Sequence, residues 1–322
     1  DMSAKPFLQE LSKEVKKLSG QLQKPLYLFP ETNLNKSAFV KPVSSNGYGM
    51  DAEWLDDFHH SVHALLTGER DGYYQDYGQL KHIAKCINKG HVYDGIYSES
   101  RKCSYGDSSA SLSAEKFIAF IQNHDQVGNR LLGERLSELV SFEKQKLAAG
   151  VHLTAPFVPM LFMGEEFGET APFRYFVSHG DQELVKAVQE GRKREFEYFS
   201  HRKAEFPDPQ AEKTFNESKL HWDFEKDSHK NDLFETYKEL LRLRKSGSFK
   251  AFSRTGLEVT SREEEKVLEV SPEGEESGVF GIYNFGSATF RRKISPGRKA
   301  ELIFASADKE WGGEKKVPSS FS

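Results

Sequence analysis

The sequence predicts an α/β fold: a parallel sheet built from βα units, followed by a small antiparallel sandwich. Three observations carry this. Short apolar stretches alternate with helical patterns at βα spacing through about residue 246. Some of those stretches, such as VPMLFM (Val158 to Met163), are continuously apolar, as in a sheet covered on both faces. After about Gly247 the pattern becomes short alternating strands separated by Gly, Pro, Ser and acidic residues.

Each element has its own signal. Ser3 is a favoured N-cap, Pro6 suits a first turn, and Phe7, Leu8, Leu11, Val15 and Leu18 recur on one helical face. PLYLFPE (Pro25 to Glu31) reads as a short buried strand ending in a carboxylate. YGMDAEWLDDFHHSVHALLTGE (Tyr48 to Glu69) reads as a strand near 52–55 and a helix from about Phe58. A helix near Gln79 to Asn88 is followed by a polar loop from about Gly95 to Ser113. FIAFIQ (Phe117 to Gln122) is a strand. FEKQKLAAGVHLTAPF (Phe142 to Phe157) is a helix, and VPMLFMGEE (Val158 to Glu166) is a strand with its loop. Helices around Gln182 to Glu195 and Asp232 to Lys245 follow. KVLEVSP, GVFGIYNFG, TFRRKIS and AELIFAS are the strands of the sandwich, with EGEES as a solvated turn.

The bulk numbers bound the function. The 322 residues are 37% hydrophobic and 29% charged, with net charge −4. That is ordinary globular composition, and it points to neither nucleic acid nor a membrane as partner. Two cysteines, Cys86 and Cys103, make no disulfide framework. No apolar run approaches 18 residues and no signal peptide is visible, so a cytoplasmic protein is expected. There is no Walker loop, no G-x-S-x-G and no G-x-G-x-x-G, and no cofactor is expected. DDFHHSVH (Asp56 to His63) sets His59 and His63 four apart on one helical face. It lacks the H-E-x-x-H pattern, and no metal is assigned.

In parallel α/β sheets the chemistry sits at the carboxyl ends of the strands. Glu31, Asp125 and Glu165/Glu166 all fall there. Each has a bland alternative. Asp125 can be the N-cap of the next helix, and His124 a satisfied buried histidine. Glu31 can pair with a cation at the strand top. Glu165 and Glu166 can be loop or helix-start carboxylates. Two carboxylates converging on one mouth would suit glycoside hydrolysis. One must be protonated and one ionised, and burial and mutual repulsion can separate their pKa values. On these residues alone Glu31 is the acid and Asp125 the nucleophile.

FIQNHDQVGNRLLGERL (Phe120 to Leu136) closely resembles the last barrel motif of the α-amylase superfamily. Its Q-V-G-N-R continuation is similar to the maltooligosyltrehalose trehalohydrolase family. YGMDAEWLDDFHHSVHALLTGERDGYY, PFVPMLFMGEEFGETAPFRYF and VQEGRKREF point the same way. FPETNLN resembles the family's fifth-strand motif, with Phe29-Pro30 in place of smaller residues. The resemblance implies the C-terminal half of a (β/α)8 TIM barrel at 1–246 and a small all-β sandwich domain at 247–322. It implies a retaining hydrolase of trehalose biosynthesis that releases trehalose from maltooligosyl trehalose. By carry-over Glu31 becomes the acid/base, Asp125 the transition-state stabiliser, and His124 a ligand of the same sugar. The strand-four nucleophile motif is absent, so the chain is expected to be part of a longer enzyme and inactive alone. Trp54, Asp57, Phe58 and His60 are candidate substrate-side residues, with core packing the alternative for Trp54 and Phe58. A branching or debranching relative, or a catalytically dead carbohydrate-binding remnant, are the rival readings.

Overall fold

The computed structural model describes residues 6–199, 206–246, 256–273, 278–292, 300–315 and 320–321. Ser3 and most of EGEES lie outside the described residues. In chain order the helices are α1 (Phe7–Leu22), α2 (Asp56–Thr67), α3 (Leu80–Lys89), α4 (His124–Gly128), α5 (Leu136–Leu139), α6 (Phe142–Thr154), α7 (Gln182–Phe199), α8 (Glu212–Glu217) and α9 (Ser228–Ser246). The strands are β1 (Glu53–Trp54), β2 (Asp94–Ser98), β3 (Cys103–Gly106), β4 (Phe117–Ala119), β5 (Val158–Pro159), β6 (Leu257–Arg262), β7 (Val267–Pro272), β8 (Gly281–Asn284), β9 (Ala300–Glu301) and β10 (Ser320–Phe321). Among the described residues no helix is long and apolar enough to cross a membrane. The chain forms two compact units. One is Asp1–Phe120, His152–Met160 and Arg244–Gly286; the other is Ile121–Val151, Leu161–Leu243 and Ser287–Ser322.

The first unit is built on a parallel sheet in the order β1-β4-β5. Glu53 pairs with Phe117 and Trp54 with Ile118; Ile118 pairs with Val158 and Ala119 with Pro159. The ladder runs one bond further on each side, Leu55 N to Ile118 O at 2.9 Å and Met160 N to Ala119 O at 2.9 Å. These strands are shorter than their apolar runs.

The expected strand over 26–31 is not formed, because a proline interrupts its ladder. The segment does run beside β1: Asp51 N donates to Leu28 O at 3.0 Å and Trp54 N to Pro30 O at 3.4 Å. The parallel register needs a returning bond from residue 30, and a proline cannot give it. Nor is the segment buried throughout, since Tyr27 and Phe29 are exposed.

α1 also departs from its pattern. Phe7 and Leu18 are exposed. The packed face is polar instead: Gln9 donates to Gly47 O, and Ser12 and Lys16 both donate to Gly49 O. α2 starts two residues before Phe58, because Asp56 and Asp57 suit the positive end of a helix. It stops at Gly68 in the left-handed conformation. The loop expected over 95–113 contains an antiparallel hairpin, β2 with β3.

Two cations, His91 buried and Arg244 half-buried, fix this unit. The ring of His91 lies 2.9 Å from Glu53 Oε1 and 3.1 Å from Asp107 O, both acceptors. Both its nitrogens therefore donate. Burial pulls its pKa down, but the bond and charge of Glu53 outweigh that and hold it above the usual value. Arg244 donates to the carbonyls of Leu153, Ala155 and Phe157, which clamps the turn from α6 into β5. The antiparallel sheet β6-β7-β8 belongs to this unit. Glu263 accepts from the N–H groups of Leu80 and Lys81 at the start of α3, and Tyr283 bonds Thr154.

In the second unit, Arg135 is 1% exposed and donates to Ala171 O and Met163 O. It holds the loop after β5. Lys146 of α6, also buried, donates to Ser306 O and Trp311 O, which fastens the segment after β9. β9 and β10 pair antiparallel.

Candidate active site

In the first unit the site residues come from the segment after Leu28, from β1 and from the first turn of α2. Glu31 is exposed. Trp54 is half-buried, its ring edge-on to Phe120 at 5.6 Å. Phe58 takes the core alternative: it is fully buried, 6.0 Å from the rings of both His152 and Phe157. Asp57 is 2% exposed. One of its oxygens accepts from Asn35 Nδ2 (2.7 Å), Val92 N (2.5 Å) and Tyr93 N (3.1 Å), the other from Tyr77 OH (2.5 Å). Its acceptor capacity is taken up by three chain segments, so it positions the site wall.

His60, one turn further along α2, is different. It is 7% exposed, and neither ring nitrogen has a hydrogen-bond partner. An unsatisfied buried polar group costs about 1–3 kcal/mol. Burial first, then the charges of His63 and Arg101, push its pKa down to about 3, so the ring is neutral. It lines a small cleft with Asp56, Tyr73, Tyr77, Arg101 and Tyr105. The other two histidines of α2 are engaged, His59 Nε2 with Tyr74 OH and His63 Nε2 with Glu69, each at 2.8 Å.

In the second unit the His-Asp pair opens α4. The cap is Asn123, whose Oδ1 accepts from Gln126 N at 2.7 Å. Asp125 is therefore not the N-cap. The carboxylate is left 54% exposed beside His124 at 51%, with His124 Nε2 3.6 Å from Asp125 Oδ1. Neither is a buried, satisfied group. The far end of α4 is held by Arg192 of α7, which donates to Gly128 O (3.0 Å) and Asn129 Oδ1 (2.9 Å) and lies over the Tyr175 ring. Gly133 has φ +69°, and a Cβ there would lie 2.6 Å from Phe173 O, so only glycine fits. Gln122, just before the cap Asn123, fixes α5 by accepting from Leu136 N.

Glu165 is 6% exposed and bonded by Tyr237 OH at 3.1 Å. Burial raises its pKa to about 8, so it is protonated at neutral pH. It takes the structural alternative, under the loop after β5. Residues that the sequence did not single out are Asn123, Arg192, Tyr73, Arg101 and Tyr105. Asn123 and Arg192 lay inside quoted motifs; Arg101 and Tyr105 were hidden in the presumed loop.

An exposed carboxylate and an imidazole at the start of a helix can together grip vicinal hydroxyls. No family model matches the chain. Its structure superposes on a Salmonella typhimurium chain described as an alpha amylase with TM-score 0.83 and 31% identity, over 100% of this chain and 53% of that one. It also superposes on an alpha-amylase from H. orenii with TM-score 0.51 and 18% identity, over 92% and 50% of the two chains. The fold is of the α-amylase type. In sequence it is 42% identical over 245 residues to the malto-oligosyltrehalose trehalohydrolase of Saccharolobus solfataricus, and 42% over 248 to that of Rhizobium sp.. A Mycobacterium tuberculosis enzyme of the same name is 39% identical over 247. The chain is thus a homologue of the malto-oligosyltrehalose trehalohydrolases, matched over 76% of its length and about two fifths of theirs.

Proposed function

We propose that this chain carries part of the active site of a retaining glycoside hydrolase that releases trehalose from maltooligosyl trehalose. The observation that carries this is the sequence match to relatives that bear that one name. The site geometry supports it: Asn123 caps α4 and leaves both side chains of the His-Asp pair accessible.

In this reading Glu31 protonates the leaving glycosidic oxygen and later activates water. Asp125 and His124 hold the sugar hydroxyls as the ring flattens toward its oxocarbenium-like transition state. A retaining mechanism takes a further carboxylate about 5–5.5 Å from the acid as nucleophile. None in this chain is assigned that place, so the chain expressed alone should be inactive. Residues 1–246 are read as the C-terminal half of a (β/α)8 barrel and 247–322 as a β-sandwich. The parallel β1-β4-β5 sheet and the Salmonella superposition favour the first, and the antiparallel β6-β7-β8 sheet the second. The place of action is read as the cytoplasm and the substrate as an α-glucan.

The test is product analysis with a complete protein containing this chain, incubated with maltooligosyl trehalose. Free trehalose is expected. Transferred or debranched glucan without trehalose would replace this reading with a branching or debranching one.

A further inference from the structure

The segment that carries Glu31 lacks a strand's ladder, so its carboxylate must be fixed by other means. We propose that Asn35 is the positioning residue for Glu31, passing the fixed location of Asp57 to the segment 31–35. In taking Glu31 to be the reacting acid, this rests on the reading in the preceding section.

Before Glu31 the segment is held at Leu28. Its N–H donates to Asp51 Oδ2 at 2.7 Å, and its carbonyl accepts from Asp51 N at 3.0 Å. Beyond Leu28 the grip loosens. The bond from Trp54 N to Pro30 O is long, 3.4 Å, and Pro30 has no N–H to return. Glu31 follows at once, exposed to solvent. A catalytic acid must lie within hydrogen-bond reach of the oxygen it protonates. Misplacement by about 1 Å can cost on the order of 10²-fold in rate. One firm hold at Leu28 leaves such displacement open.

The second hold is Asn35. It is 6% exposed, and its backbone is left-handed with φ +48°. Asparagine takes that conformation more readily than most residues. Its Nδ2 places both hydrogens, on Asp57 Oδ2 at 2.7 Å and on Tyr93 O at 3.3 Å. Its carbonyl accepts from Asp107 N at 2.9 Å. The next residues grip the same wall: Lys36 Nζ donates to Gly106 O at 3.3 Å and Ser37 N to Asp107 Oδ1 at 2.8 Å. A Cβ on Gly106 would lie 1.8 Å from Tyr93 O and 3.1 Å from Asn35 Cβ, so the backbones approach as closely as glycine allows.

Asp57 makes this hold rigid. Turning its carboxylate would break the bonds from Val92 N, Tyr93 N and Tyr77 OH together. Burial first, then the charge of Asp57, raise the Tyr77 pKa, so its hydroxyl stays a donor. An aspartate at position 35 would set a second carboxylate against Asp57, and a leucine would leave Asp57 and Tyr93 O short of a donor. Glu31 is thus strung between Leu28 and Asn35. Asn35 is buried and Glu31 exposed, so the one acts on the other through the backbone between them.

The test is a double-mutant cycle in a complete protein containing this chain, read as steady-state turnover of maltooligosyl trehalose. The variants are Asn35→Gly, Glu31→Gln and the two combined. Glycine keeps the left-handed backbone accessible and removes only the amide. Asn35→Ser, a milder cut that retains a donor of shorter reach, is read in the same two backgrounds. Thermal unfolding checks that each is folded. We expect Asn35→Gly to lower kcat about 10–100-fold with KM within about twofold. Asn35→Ser should fall between it and the parent. In the Glu31→Gln background either change should cost less than about twofold, since there is no acid left to place. Amide exchange at Leu34 and Trp54 should quicken in Asn35→Gly, while that of α3 stays as in the parent. Equal fold-losses in the two backgrounds would overturn the proposal and leave the acid reading standing. So would an unchanged kcat in Asn35→Gly. A Glu31→Gln protein that turns over as the parent does would overturn the acid reading instead, and faster exchange at Leu34 would then still support the hold on the segment.

Discussion

At Asn123 and Asp125 one residue's job depends on the other's. The sequence offered Asp125 as the helix cap, but Asn123 takes that role. The difference is two positions in a run of polar residues, and only the backbone geometry decides between them. It has a measurable consequence. Asn123→Ala should lower stability by about 1 kcal/mol, as lost caps do. Asp125→Asn should leave stability nearly unchanged while reducing turnover of the complete protein about 10²–10³-fold, the scale of losing one transition-state contact. Denaturant unfolding and steady-state kinetics on the two variants separate the roles. A large stability loss in Asp125→Asn would return it to a structural part. Glu165 gives a second prediction at this scale. Its folded pKa, about 8, lies above the ordinary value. A raised carboxyl pKa means that the folded state binds more protons between about pH 4.5 and 8, so stability from this group is present below 4.5 and lost as pH rises to 8. Glu165→Gln mimics the protonated form. Its stability relative to the parent should rise by up to about 1.4 kcal/mol per pH unit across that window. A difference independent of pH would show that Glu165 ionises normally.

The elements were legible where a face is apolar and regular. α2, α3, α6 and α9 appear within a few residues of their patterns, and β7 and β8 lie within the strands read from KVLEVSP and GVFGIYNFG. Misreadings trace to particular residues. Pro30 removes a ladder donor, so the 26–31 strand is not formed. The β2–β3 hairpin escaped because its strands are largely exposed and carry little alternation. The packing of α1 through Gln9, Ser12 and Lys16 was invisible to a hydrophobic pattern. Strand placement also rests on buried charge. His91→Ala would leave Glu53 at the start of β1 without its partner, at a cost of about 3–5 kcal/mol. Equilibrium unfolding would measure this, and a loss below 1 kcal/mol would mean that the pair contributes little.

For the molecule as a whole, the motifs carried more than the elements did. The resemblance in Phe120 to Leu136 named a family that homologues at about 40% identity support. Some site residues were less legible. Phe58 and Asp57 share a motif with His60, yet one is core and one is saturated by neighbours. Periodicity marks all three as one helix turn; only the partners distinguish them. The central claim is that Glu31 is the general acid. The most direct test is Glu31→Gln in a complete protein containing this chain, with glycosylation measured separately on maltooligosyl trehalose and on an activated aryl glycoside. General acid catalysis contributes roughly 10²–10⁴ in rate. The natural substrate should therefore slow by about that factor, while the activated one, whose leaving group needs no proton, should slow far less. Equal losses on both substrates would contradict the assignment and leave Glu31 as an ion-pair residue at the strand top.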